Sequence, residues 1–124
     1  MNFCEDEIEA PLFVRQYDPV HQVVITSLGP VSQAMVLFEN NIQLGVLPAQ
    51  PEQLTESHIE ALVALKPEVI LLGTGAVQYF PPPDILAALY AQRIGLEVMT
   101  TDAACRTFNV LVSEGRAVLA ALFC

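Results

Sequence analysis

The sequence predicts an α/β fold on a mixed sheet, and three features carry that expectation. Residues 12–48 hold short β-rich runs separated by turn residues, and residues 55–123 alternate helical spacing with short apolar runs. Val69-Ile70-Leu71-Leu72 is apolar without a break, the mark of a strand buried on both faces. The first half therefore reads as antiparallel β-structure and the second as strand, helix, strand, helix, strand. Parallel pairing follows from right-handed crossovers.

The elements follow in order. Residues 13–17 and 22–26 flank Asp18-Pro19-Val20-His21, whose Asp-Pro favours a turn, and predict a hairpin. Gly29-Pro30 breaks the chain. Residues 34–38 and 42–47 then form a second β pair around Glu39-Asn40-Asn41, ended by Pro48, which lacks an amide donor. Residues 48–52 are a connector too short to separate two domains, so the expectation is a single domain over residues 1–124.

Thr55 or Ser57 can cap the first helix, and Ser57 with Glu60 fits a capping box. Ile59, Leu62 and Val63 share one face. Pro67 stops this helix by forcing residue 66 out of the α region. The apolar strand ends at Gly73-Thr74-Gly75, and Pro83 followed by Asp84 suits the start of a helix over 83–93 with Gly95 beyond its end. Residues 96–99 return as a strand. Thr100, Thr101 and Asp102 offer caps for a helix over 102–114. Gly115 ends it, and 117–123 read as a buried strand because that run has no polar face.

Composition narrows the function. Five basic residues stand against fourteen acidic ones, a net charge of -9, too few cations for nucleic-acid binding or docking on an anionic membrane. The mean hydropathy is +0.47, yet no window approaches the roughly 18 apolar residues of an integral membrane segment. No basic start and apolar region precede Glu5, Asp6, Glu7 and Glu9, so a cytoplasmic location is expected, with residues 1–10 as a solvated or disordered acidic tail. Cys4, Cys105 and Cys124 lack paired spacing and read as free thiols. Neither His21 nor His58 has ligand spacing to the other or to a cysteine, so no metal is expected.

Chemistry has one candidate location, the crevice outside the carboxyl ends of the strands. Gly73, Thr74 and Gly75 reach it after one strand, and Thr100 opens a helix there after another. Arg106, Asn109 and Ser113 share a face of that helix. This arrangement reads either as a pocket for an acidic group, held by Arg106, Thr100 and glycine-loop amides, or as packing and capping with Arg106 paired to an acidic neighbour. Cys105 near the helix start has no local base, and no G-x-S-x-G elbow is present, so no catalytic residue is assigned. Tyr79, Phe80 and the prolines after them read as a partner surface or as a cover for the strand ends.

Gly73-Thr74-Gly75 after an apolar strand, the stretch from Met99 through Arg106-Thr107-Phe108-Asn109 to Leu111, and Glu114-Gly115-Arg116 before a last apolar run together resemble a family of small single-domain proteins. It includes the mitochondrial complex I (NADH dehydrogenase) assembly factor 3 and uncharacterised bacterial and archaeal relatives. The resemblance covers nearly the whole chain. It implies a three-layer α/β domain with the last strand inside a central mixed sheet, and a non-enzymatic interaction or assembly role without a cofactor. Protein partners or self-association are the corresponding expectation. The family motif falls on Gly73, Gly75, Thr100, Arg106, Asn109, Glu114 and Arg116.

Overall fold

A computed structural model describes residues 11–124. The acidic segment 1–10 and Cys4 lie outside the described residues. The strands are β1 (Val14–Asp18), β2 (Val23–Thr26), β3 (Gly29–Val31), β4 (Met35–Phe38), β5 (Asn41–Leu44), β6 (Val69–Thr74), β7 (Gly95–Met99) and β8 (Val118–Phe123). The helices are α1 (Glu56–Val63), α2 (Ala87–Ala91) and α3 (Thr101–Ser113), with a single 3-10 turn at Pro51–Gln53.

Five strands form the central sheet in the order β5-β4-β8-β6-β7. β6 pairs in parallel with β7 and β8, while β4 runs antiparallel to β5 and β8, so the sheet is mixed with β8 at its centre. Every residue of β6 and β8 is buried, which explains their unbroken apolar pattern. Alternation then divides them between two cores. Ile70, Leu72 and Leu119 pack with Ile59 and Leu62 of α1 and Leu89 of α2. Leu71, Ala120 and Leu122 face the other way, against Ala104 and Phe108 of α3 and Val14 and Val24 of β1 and β2. Each such side chain, fully buried, contributes about 1.5–3 kcal/mol of transfer free energy.

The antiparallel first half does not all join this sheet. β1, β2 and β3 form a separate three-stranded sheet, sharing the layer occupied by α3. β3 is a strand where the sequence shows only a break. Pro30, opposite Ile25, is tolerated there because β3 is an edge and the missing amide interrupts no ladder. In the second hairpin both Glu39 and Asn40 have positive φ, the geometry that matches strand twist in a two-residue turn. β5 stops at Leu44, short of the expected residue 47, because Gly45 turns the chain at φ +80.

The helix boundaries show where side chains overrode pattern. The capping box of α1 is formed by Thr55 and His58, with Thr55 N donating to His58 Nδ1 at 2.9 Å, and not by Ser57 and Glu60. Thr55 has the extended backbone that a cap needs (φ -122, ψ 170), while Ser57 is already inside the helix. Lys66 takes φ +59 before Pro67, as the proline requires. α2 is far shorter than the expected 83–93. Residues after the proline run close three-residue turns instead, Ile85 N to Pro82 O and Leu86 N to Pro83 O, both at 3.1 Å. Arg93, at φ +57, makes the left-handed turn after α2, and Gly95 begins β7 against Val69. At α3 the expectation holds closely: Thr100 is the cap, and Gly115 at φ +79 lets β8 begin three residues later.

Candidate functional site

The carboxyl ends of β6, β7 and β8 lie together, and the crevice between β6 and the start of α3 is closed by one side chain. Thr101 is completely buried. Its hydroxyl donates to Phe123 O at the end of β8 and accepts from Gly75 N at 2.8 Å, while its own amide donates to Gly75 O at 2.9 Å. The first turn of α3 is thereby tied to two strand ends. Gly73 permits this approach: a Cβ there would stand 3.0 Å from Thr101 Cα and 2.9 Å from Leu122 Cδ2. Thr74 directs its hydroxyl to Val77 O at 2.7 Å and accepts from Tyr79 N at 3.0 Å, folding the loop back over the strand. Gly75, at φ +90, makes the turn between them.

The polar residues of α3 diverge from this point. Thr100 caps the helix by accepting from Ala103 N at 3.4 Å. Arg106 pairs with Asp102 one turn earlier on its own helix, both exposed. Asn109 reaches the second sheet, accepting from Val14 N at 2.9 Å and donating to Val14 O at 2.8 Å. Its amide therefore reads the strand as a neighbouring backbone would. Asn109→Ala leaves a buried amide and carbonyl with only water as an alternative, and urea unfolding is expected to report a loss of about 1–2 kcal/mol. Ser113 turns its hydroxyl to Val110 O at 2.6 Å.

The remaining motif residues stand at the opposite end of the sheet. Glu114 is the C-cap of α3, its amide donating to Val110 O and Leu111 O. Arg116 Nε donates to Glu68 Oε1 at 3.2 Å, and the same carboxylate accepts from Ala117 N. These contacts hold the joint between α3, β6 and β8. They lower the Glu68 pKa, first through the Ala117 amide and then through Arg116. The unfolded chain thus binds this proton first as pH falls. The stabilisation is whole above the ordinary glutamate range and disappears as pH drops through the folded value. Acid titration of stability should show a smaller loss in Glu68→Gln than in the unaltered chain.

Cys105 is buried, and burial, with the Asp102 charge adding to it, pushes its thiol up to about 12. It is a core side chain, not a thiolate at neutral pH. Tyr17 donates its hydroxyl to Cys124 O at 2.9 Å, and its pKa is raised chiefly by burial. Among the described residues, no group of three or more His, Cys, Asp or Glu is placed to hold a metal ion, and no helix is long and apolar enough to cross a membrane.

Open space lies beside the closed crevice. A shallow depression of about 400 Å³ is lined by Tyr17, Pro19, Gly75, Ala76, Thr100 and Asp102. A larger cleft, about 460 Å³, opens over the ends of β6 and β8. Its walls come from the β1–β2 loop (Pro19, Gln22), residues 32–34, residues 49–51, the loop 74–77 and the strand end Phe123-Cys124. Of the predicted site residues, Thr74 and Gly75 line it, whereas Gly73, Thr100, Arg106, Asn109, Glu114 and Arg116 do not. Sequence spacing had no means of indicating Gln22, Gln33 or Gln50, since tertiary pairing alone brings them together.

A family model described as "Protein of unknown function (DUF498/DUF598)" matches residues 15–123. The chain is 32% identical over 123 residues to a Francisella tularensis protein named "13 kDa major membrane protein", covering 95% of each. It is 37% identical over 73 residues to the mouse NADH dehydrogenase [ubiquinone] 1 alpha subcomplex assembly factor 3; that match spans 57% of this chain and 40% of the mouse protein. An NMR structure from Xanthomonas campestris superposes with a TM-score of 0.84 at 36% identity, over 99% of this chain and 92% of that one.

Proposed function

Because the chain belongs to the family of proteins of unknown function DUF498/DUF598, we propose that it works as an interaction or assembly protein, holding a protein partner without turning over a substrate. One observation carries the proposal. The cations in the family motif are engaged within the chain, Arg106 with Asp102 and Arg116 with Glu68, while the loops at the strand ends expose Val20, Val77 and Phe80. Exposed apolar side chains of that size favour a protein surface over a small charged solute. The name of the mouse relative supports a component of a membrane-associated respiratory complex as the partner. The proposed place of action is the cytoplasm, with any attachment to a membrane made through that partner. Carbonate washing of isolated membranes should release the chain.

Affinity purification of the tagged full chain from its native cell at low salt tests the proposal. A specific partner should be recovered, and respiratory complex I should assemble poorly in a deletion strain. Recovery of no specific protein together with normal assembly would overturn it. The competing reading is an acidic small molecule bound near Gly73-Gly75 and Thr100-Arg106. Asp102 lines the depression beside Thr100 and would repel such a ligand. A thermal-shift screen of acidic metabolites should accordingly be flat. Arg106→Ala should change stability by less than about 0.5 kcal/mol, the scale of an exposed helical pair.

A further inference from the structure

Resting on the reading of the chain as a partner-holding protein, we infer that the cleft over β6 and β8 is the seat of the partner and accepts an uncharged, extended peptide segment. No acidic or basic side chain lines this cleft, although the chain carries a net charge of -9. That absence selects the occupant. A carboxylate entering it would meet no cation and an unfavourable overall field, and a lysine or arginine would lose its water without gaining a carboxylate. What the walls offer is the chemistry of the peptide group. The side chains of Gln22, Gln33 and Gln50 each bring an amide donor and a carbonyl acceptor, matching the main chain of an extended segment. Ala34, Val77 and Phe123 supply apolar surface between them. Val77 is 74% exposed, and Val20, next to the lining residue Pro19, is 82% exposed. Apolar contact is thus available from two separate loops, with charge absent from the centre, as in the buried core of protein interfaces.

Cys124 provides the reporter, because it lines the cleft while Cys105 is buried. In a Cys4→Ser background, the full chain would be mixed with N-acetylated, C-amidated decapeptides built only from Ala, Val, Leu, Ser, Thr, Asn and Gln. A second set would carry four Asp or Glu residues, and a third four Lys or Arg. The neutral set should slow labelling of Cys124 by a thiol reagent at least threefold and shift the backbone amide signals of Gln33, Gly75 and Val77. The charged sets should do neither. Val77→Glu, at an exposed position, should reduce the protection by neutral peptides tenfold while leaving the fold intact by the remaining amide signals. Equal protection by a charged set, or no protection by any set, would overturn the inference. So would protection given only by a panel of uncharged compounds below about 300 Da, in the size range of ordinary ligand pockets, since it would assign the cleft to small molecules. If the tagged chain still recovers its specific partner and Val77→Glu leaves that recovery unchanged, the peptide seat fails and the assembly reading stands. If no partner is recovered while neutral peptides bind, the reverse holds.

Discussion

Gly73→Ala should destabilise the chain by about 2 kcal/mol and Gly73→Val by about 3 kcal/mol or more, read as a lower urea midpoint with an unchanged slope. The cause is a missing gap. The added Cβ would meet Leu122 Cδ2 at 2.9 Å, Ala104 Cβ at 3.1 Å and, at 3.0 Å, the backbone of Thr101. Leu122 can rotate, but Thr101 Cα belongs to a residue held by Gly75 on both its amide and its hydroxyl. Relief therefore requires α3 to move off the sheet. Because Gly73 lines neither open space at the strand ends, partner binding per folded molecule should be unaffected. A loss of binding without a loss of stability would mean that the glycine serves a ligand after all.

Thr101→Val should cost about 2–5 kcal/mol by the same measurement. Valine keeps the volume and removes the hydroxyl, leaving Gly75 N and Phe123 O without their side-chain partner at a residue with no solvent exposure. Each buried polar group left unpaired costs about 1–3 kcal/mol. Thr101→Ser retains the hydroxyl and should recover most of this. Hydrogen exchange adds a local prediction, since the Gly75 amide should lose protection in the valine variant before the amides of β6 do. Together the two substitutions address one claim: the loop after β6 and the first turn of α3 form a sealed joint.

Much of the fold was legible because the second half follows simple rules. β6 and β8 announce themselves by unbroken apolar runs, and Gly115 separates α3 from β8 where alanine content alone would have continued the helix. The first hairpin was legible from Asp18-Pro19. What pattern did not reveal depends on contacts distant in sequence. β3 contains Gly29 and Pro30, which weigh against a strand until an edge position is available. The separation of β1–β3 from the central sheet is set by the packing of Val14 and Val24 against α3, not by the strands' own composition. α2 shortens because the first turn after Pro81–Pro83 closes with three-residue turns.

The candidate site divides in the same way. Thr74 and Gly75 were found from their place after a strand, and they do border the cleft. Arg106 drew attention because cations are scarce here, yet its neighbour on the helix takes the charge. Asn109 has hydrogen-bonding groups suited to a ligand, but a strand ninety-five residues away in sequence occupies both of them. Thr101 read as one possible cap among three, while its buried role depends on β8 ending opposite it. The glutamines gave no signal at all, because isolated polar residues in connecting segments look like ordinary surface.

The most direct test of the account is photo-crosslinking in the native cell, with a photoreactive amino acid replacing Val77 in one strain and Arg106 in another. Both side chains are exposed, so folding should tolerate each replacement. The account predicts a crosslink from position 77 to one defined partner protein, mapping to an uncharged segment of it, and none from position 106. Crosslinking from position 106 alone, or from neither position while the chain is folded and expressed, would contradict it.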